Sequence, residues 1–249
     1  MNRSPLKFFV LVFALSIPIW LIEPRDWPIT ASVGAPLITA LILVYGEEGL
    51  GGIRRLLKRV FDQRRIRKKI WFMPIIFLMP FLYLLTFGVM RLMRAPLPDE
   101  PYIPSLQIPL LFVVFFILAI AEEVGWTGYI TDPLQERWSA LTTAIILGLV
   151  TALWHFVPLI QMGRTPTWIA WWSLSSVSIR ILTVWLYNNT GKSVFAVILF
   201  HAVVNLSFAI FPNYGSHWDP AVAGPITAIA AAVVTFLWGS KTLARYKHA

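Results

Sequence analysis

The chain has no cysteine, little charge and few acids: of its 249 residues only 13% are charged, and Asp and Glu number 12 against 21 Lys and Arg. Without cysteine there is no disulfide scaffold, no thiol nucleophile and no Cys-ligated zinc. So little charge on a chain that is 57% hydrophobic excludes an ordinary soluble domain. Internal repeats and separable polar domains are also missing, so residues 1–249 read as a single integral-membrane domain. The net charge of +9 suggests nucleic acid at first, but nine of the 21 Lys and Arg lie between Arg54 and Lys69, beside membrane-length apolar runs. Membrane lipids, not nucleic acid, are the partners this pattern implies, with the nine in a solvated cytoplasmic loop.

What is present is a succession of apolar runs. The expected fold class is all-α, a polytopic membrane helical bundle of about eight transmembrane helices. The spans run over residues 8–22, 29–45, 70–90, 108–130, 141–160, 168–186, 193–211 and 221–238. Most approach the roughly 20 residues that cross about 30 Å of hydrocarbon. The first counts as a span and not a signal peptide, because Ile19 to Pro24 offers no small-residue cleavage site. Between Gly49 and Lys69, Ile53, Leu56, Leu57, Val60 and Phe61 recur at helical spacing among basic residues, which predicts an amphipathic helix on an anionic cytoplasmic face. Pro96, Pro98, Pro101 and Pro104 make residues 91–107 a stiff external loop. With the N-terminus inside, 16 Lys and Arg fall on the cytoplasmic side and four on the other. The expectation is a multi-pass protein of a prokaryotic plasma membrane with both termini cytoplasmic.

Against that apolar background a few polar residues stand out. Glu122 and Glu123 end an apolar run that begins at Ile108. Each acid costs about 2.5–3.5 kcal/mol at the centre of a membrane helix. The eleven Leu, Ile, Val and Phe residues between Ile108 and Ile120 recover about 0.3–0.6 kcal/mol each. The two sums roughly cancel, so the helix needs polar partners from its neighbours. Candidates are His155, Arg180, His201 and Asn205. His201 and Asn205 lie one helical turn apart, about 6 Å, on one face. Counted along ideal helices, Glu122, Arg180 and His201 lie about 12–14 Å from the cytoplasmic ends, whereas His155 lies about 25 Å away and fits less well. His217, in an external loop, and His248, at the tail, are read as bystanders.

These motifs resemble the CAAX protease and bacteriocin-processing family of intramembrane proteases, also called the abortive-infection family, and in particular its type II CAAX prenyl protease-like members. The family's Glu-Glu-x-x-x-Arg falls on Glu122 and Glu123, its second motif on His155 within Leu153–Phe156, and its His-x-x-x-Asn on His201 and Asn205. The likeness spans residues 108–211, the expected catalytic motif core. Two positions depart from it: the arginine is Thr127, and a phenylalanine four before the second histidine is Thr151. Arg180 is expected to supply the missing positive charge. The resemblance implies an intramembrane endopeptidase acting on prenylated CAAX termini or on peptide and bacteriocin-related substrates.

Peptide hydrolysis needs an activated water and donors aimed at the developing oxyanion. Glu122 is the expected base and His155 shares the proton or orients the water. His201 and Asn205 form the oxyanion site, while Glu123, Arg180 and Thr127 support it, in a cytoplasm-facing cavity. No cofactor is expected. The alternative is a zinc metalloprotease holding its ion with Glu122, His155 and His201. Readings from other classes are a proton-coupled transporter and a non-catalytic membrane chaperone or immunity protein.

Overall fold

The structure, a computed structural model, describes residues 3–22 and 31–245, so His248 lies outside the described residues. Every regular element among them is helical: α1 (Pro5–Ile22), α2 (Ala35–Lys58), α3 (Phe72–Leu92), α4 (Ile108–Trp126), α5 (Thr131–Gln135), α6 (Ala140–Gln161), α7 (Pro166–Asn189), α8 (Val194–Ala209) and α9 (Pro220–Trp238). The sequence starts these helices where chemistry permits. Proline occupies one of the first two positions of α2, α4, α7 and α9, where its missing N–H costs nothing. The side chains of Ser139, Thr165, Ser193 and Asp219 accept from backbone N–H groups at the starts of α6, α7, α8 and α9. Within the spans, the hydroxyls of Ser16, Thr86, Thr183 and Ser207 donate to the carbonyl four residues earlier, so none faces lipid unpaired.

Among the described residues seven helices are long and apolar enough to cross a membrane, and α8 is an apolar eighth of 16 residues. At about 24 Å it is short for a span. It is also enclosed, packed along α3 and α4 and touching α7, with Val197, Ile198, Phe200 and Ala202 fully buried. Other close pairs are α6 with α7, α7 with α9 and α2 with α4. Close approach explains two glycines. A Cβ on Gly125 would lie 2.4 Å from the Pro36 carbonyl oxygen, and one on Gly148 would lie 2.8 Å from the Val177 backbone.

The two ends of the bundle are defined by different contacts. At one end Arg3 pairs with Glu48 at 2.6 Å, Ala140 N–H donates to the Lys241 carbonyl, and Asn188 bonds Gln135 and the Thr242 carbonyl. This end carries residues 54–69 and is called the basic end below. At the other, Trp20 donates to Ser32, Gln161 to the Trp20 carbonyl and His217 to the Pro96 carbonyl. The last bond ties the proline-rich loop to the segment after α8.

Three expectations need correction. The basic stretch is not one surface helix to Lys69: α2 breaks at Gly49, where φ is 63° and ψ is −161°, resumes to Lys58, and gives way to short 3-10 turns (Arg59–Phe61, Gln63–Arg65, Lys69–Trp71). The span from Ile108 stops as a helix at Trp126, not Ile130. The Thr127 and Gly128 N–H groups turn back onto the Glu123 carbonyl, and the apolar residues beyond are buried in protein instead of facing lipid. The basic segment is not wholly solvated either. Arg59 points inward and donates to the Gly128 carbonyl, the Tyr187 hydroxyl and the Lys192 carbonyl.

Candidate active site

The end of α4 is where the polar residues gather. Glu123 is 1% exposed, and a carboxylate so placed is tolerable only if it is paired and hydrogen-bonded. It is both. Arg180 of α7 reaches its two oxygens through Nη1 at 3.2 and 3.0 Å, His201 of α8 donates from Nδ1 at 2.8 Å, and the Thr127 hydroxyl donates from one turn below on the same chain. The motif arginine's position therefore holds a residue that still bonds the glutamate, while the positive charge arrives from another helix.

Glu122 is 7% exposed and points differently. His201 Nε2 lies 3.9 Å away, longer than a hydrogen bond, and among the described residues Glu122 has no hydrogen-bond partner. It lines a cavity of about 600 Å³ together with His155, Arg180, His201 and Asn205. The cavity lies between the close pairs α4–α8 and α6–α7. His155 donates from Nδ1 to the Thr151 carbonyl at 2.7 Å, which leaves Nε2 free of protein partners. The tautomer is thus set by the backbone one turn earlier. Trp154 and Trp172 hold the ring, with centroids 4.7 and 5.1 Å away. The Asn205 amide makes no hydrogen bond to protein, although it shares the cavity. All the residues singled out by sequence line this one space except Thr127, which sits beneath it. His155 makes no direct polar contact with Glu122.

The donor types are ones that suit zinc. Among the described residues no three His, Asp or Glu side chains come together so as to hold a metal ion. His201 spends Nδ1 on Glu123, and its other nitrogen is 3.9 Å from Glu122.

The cavity extends away from the basic end. Besides the polar cluster its walls include Ser32, Gln161, Met162, Arg164, Trp168 and Trp218, all from the end of the bundle opposite residues 54–69.

Two residues of the framework escaped sequence reasoning. Asp62 accepts from the Ser193 hydroxyl at 2.7 Å and from the Phe195 and Val194 N–H groups at 3.1 and 3.3 Å, which caps the start of α8. Arg59 ties the turn after α4 to the end of α7. Between them they fix the helices that carry Glu122, Arg180, His201 and Asn205. Neither stands out in the sequence, because both sit inside the run that holds nine Lys and Arg.

Comparison with known proteins gives two findings. Residues 104–207 match the family model described as type II CAAX prenyl endopeptidase Rce1-like. The chain is also similar to CAAX prenyl protease 2 of Methanococcus maripaludis, 29% identical over 187 residues that cover 70% of this chain and 68% of that protein. The matched segment runs from the loop before α4 to α8 and includes all of the polar cluster. Residues 104–207 of this multi-pass membrane protein are thus similar to the Rce1-like type II CAAX prenyl endopeptidases.

Proposed function

We propose that this chain is an intramembrane endopeptidase that hydrolyses a peptide bond with a water activated by Glu122. The observation that carries the reading is that Glu122, His155 Nε2 and the Asn205 amide, none of them hydrogen-bonded to protein among the described residues, line one partly dry cavity beside a carboxylate that is already neutralised. Glu122 takes a proton from water as the oxygen attacks the carbonyl carbon of the scissile bond. The carbonyl oxygen becomes an oxyanion, and His201 Nε2–H and the Asn205 amide donate to it. His201 already gives its Nδ1 proton to Glu123, so this role requires the imidazolium. Its positive charge and that of Arg180 then balance the two glutamates. His155, with its proton held on Nδ1, accepts at Nε2 and orients the attacking water. Glu122 returns its proton to the departing amine. Glu123, Arg180 and Thr127 position His201. The relative named CAAX prenyl protease 2 points to substrates with an apolar or prenylated end, for which the apolar walls at Leu111, Val114 and Phe115 offer space.

The test is peptidomics of membranes carrying the wild type, Glu122→Gln and His201→Ala, with total metal analysis of the purified active protein. Products present with the wild type and absent with both variants support the reading, and unchanged products refute it. Stoichiometric zinc in active protein would return the mechanism to the metal alternative.

A further inference from the structure

We infer that residues 50–61 form a binding site for one anionic phospholipid, which seats an acyl chain in an apolar groove and its phosphate between Arg54 and Lys58. The site shares no residue with the cavity at Glu122 and does not depend on the peptidase reading.

The groove begins at the break in α2. Gly49, with φ at 63°, takes a conformation that side chains disfavour, and the helix kinks there before resuming to Lys58. Beyond the kink Leu50, Ile53, Leu57 and Phe61 follow one another at intervals of three or four residues, the spacing of a single helix face. With Arg54 and Lys58 they line a shallow groove of about 440 Å³. Leu50 and Phe61, at its two ends, are 74% and 73% exposed. Apolar surface of this kind gains free energy when hydrocarbon covers it.

The basic residues of this end are not equivalent. Arg55 pairs with Glu48 at 2.6 Å, Arg65 with Asp62, Lys192 with Asp132, and Arg59 turns inward to the Gly128 carbonyl and the Tyr187 hydroxyl. Arg54 and Lys58 are exposed, one helical turn and about 6 Å apart, and among the described residues neither has a hydrogen-bond or ion-pair partner. No acid lines the groove they flank. Two free cations over an apolar groove match a ligand that joins one phosphate to hydrocarbon. A soluble anion would answer the cations but leave Leu50 and Phe61 uncovered, and a zwitterionic lipid brings its own cation to the phosphate. The opposite face of the segment is held by protein: Leu56 and Val60 are buried, and Arg59 ties it to the turn after α4. A lipid bound on the outer face therefore stabilises the fold through this packing.

A ligand of the folded protein raises its unfolding midpoint, which supplies the test. Full-length protein in neutral detergent is titrated with phosphatidylglycerol, with the phosphatidylcholine of the same chains, and with glycerol phosphate. The wild-type midpoint should rise with phosphatidylglycerol at concentrations where the other two do little. One cation beside an anionic lipid contributes about fivefold in affinity, so Arg54→Gln with Lys58→Gln should raise the phosphatidylglycerol concentration for half the shift by about 25-fold. Phe61→Ser should raise it as well. Arg64→Gln with Arg67→Gln removes two exposed cations outside the groove and should leave the response at the wild-type level. All these positions are exposed, so without lipid each variant should unfold near the wild-type midpoint. An equal response to phosphatidylcholine or to glycerol phosphate would overturn the site, as would a wild-type response in the Arg54 and Lys58 double variant. A loss as large in the Arg64 and Arg67 variant would reduce it to diffuse surface charge.

Discussion

The two ends of this bundle solve opposite problems with the same helices. At the basic end, side chains far apart in sequence close on one another: Arg3 on Glu48, Arg59 on Tyr187, Asp62 on the start of α8, Asn188 on Gln135. At the other end the contacts withdraw to the periphery, and the space between α4–α8 and α6–α7 is left as a cavity. Rigidity at one end allows polar side chains to remain unpaired at the other. A catalytic group that had satisfied itself within the protein would have nothing to offer a substrate. One that was unsupported would not hold its geometry. The adjacent glutamates show the division within two residues, since Glu123 faces three partners and Glu122 faces the cavity.

The sharpest way to break that comparison is to change the free member. Glu122→Gln is isosteric and removes the base, so peptide hydrolysis should fall by about 10²–10⁴-fold while thermal unfolding in detergent stays close to wild type. Loss of stability without loss of turnover would reassign Glu122 to the framework. Changing the paired member should do the converse. Arg180→Leu removes the guanidinium partner of the buried Glu123 carboxylate, at a cost of about 3–5 kcal/mol. Most of that loss should be recovered in the double variant with Glu123→Gln, read as the midpoint of thermal unfolding. A single variant as stable as wild type would show that Thr127 and His201 suffice to hold Glu123.

Asn205→Ala should lie between these in character. Removing one oxyanion donor lowers kcat by about 10²–10³-fold. The amide has no protein hydrogen bond to lose, so KM and stability should change little. A large fall in stability would mean that Asn205 holds the helices together.

Much of this was legible in the sequence, and the reasons for the rest are physical. Helical periodicity and run length reveal apolar spans because lipid imposes both, and the misplaced acids, histidines and asparagine stand out against that background. The end of α4 was not legible, because Val124 to Ile130 are as apolar as a membrane span yet are buried in protein, and composition does not distinguish the two environments. The depth count left His155 apart from Glu122, since it assumed a straight helix to Ile130 and a common starting plane for every span. The direction in which the cavity extends was not legible for a related reason: motifs locate residues along the chain, but only the packing of α6, α7 and α8 says which way the space between them leads. Arg59 and Asp62 were hidden by their surroundings. A run of nine Lys and Arg looks solvated, and nothing near residue 62 announces a partner 131 positions away.

The smallest effect concerns that hidden support and separates holding from chemistry. Asp62 offers Oδ1 to the Ser193 hydroxyl and the Phe195 N–H, and Oδ2 to the Val194 N–H, so its carboxylate meets the positive end of α8. Asp62→Ala removes all three bonds and the charge, and should cost about 1–3 kcal/mol of stability. Asp62→Asn keeps an acceptor for Ser193 and Phe195 but turns an N–H toward that of Val194, so it should cost less. Both variants should lower turnover only to the extent that they lower the folded fraction, because Ser193 still accepts from Ala196 and the cap lies two turns from His201. If turnover instead falls well beyond the folded fraction, the stitched end does more than hold α8: it sets the position of the oxyanion donors, and the separation between the two ends fails at this residue.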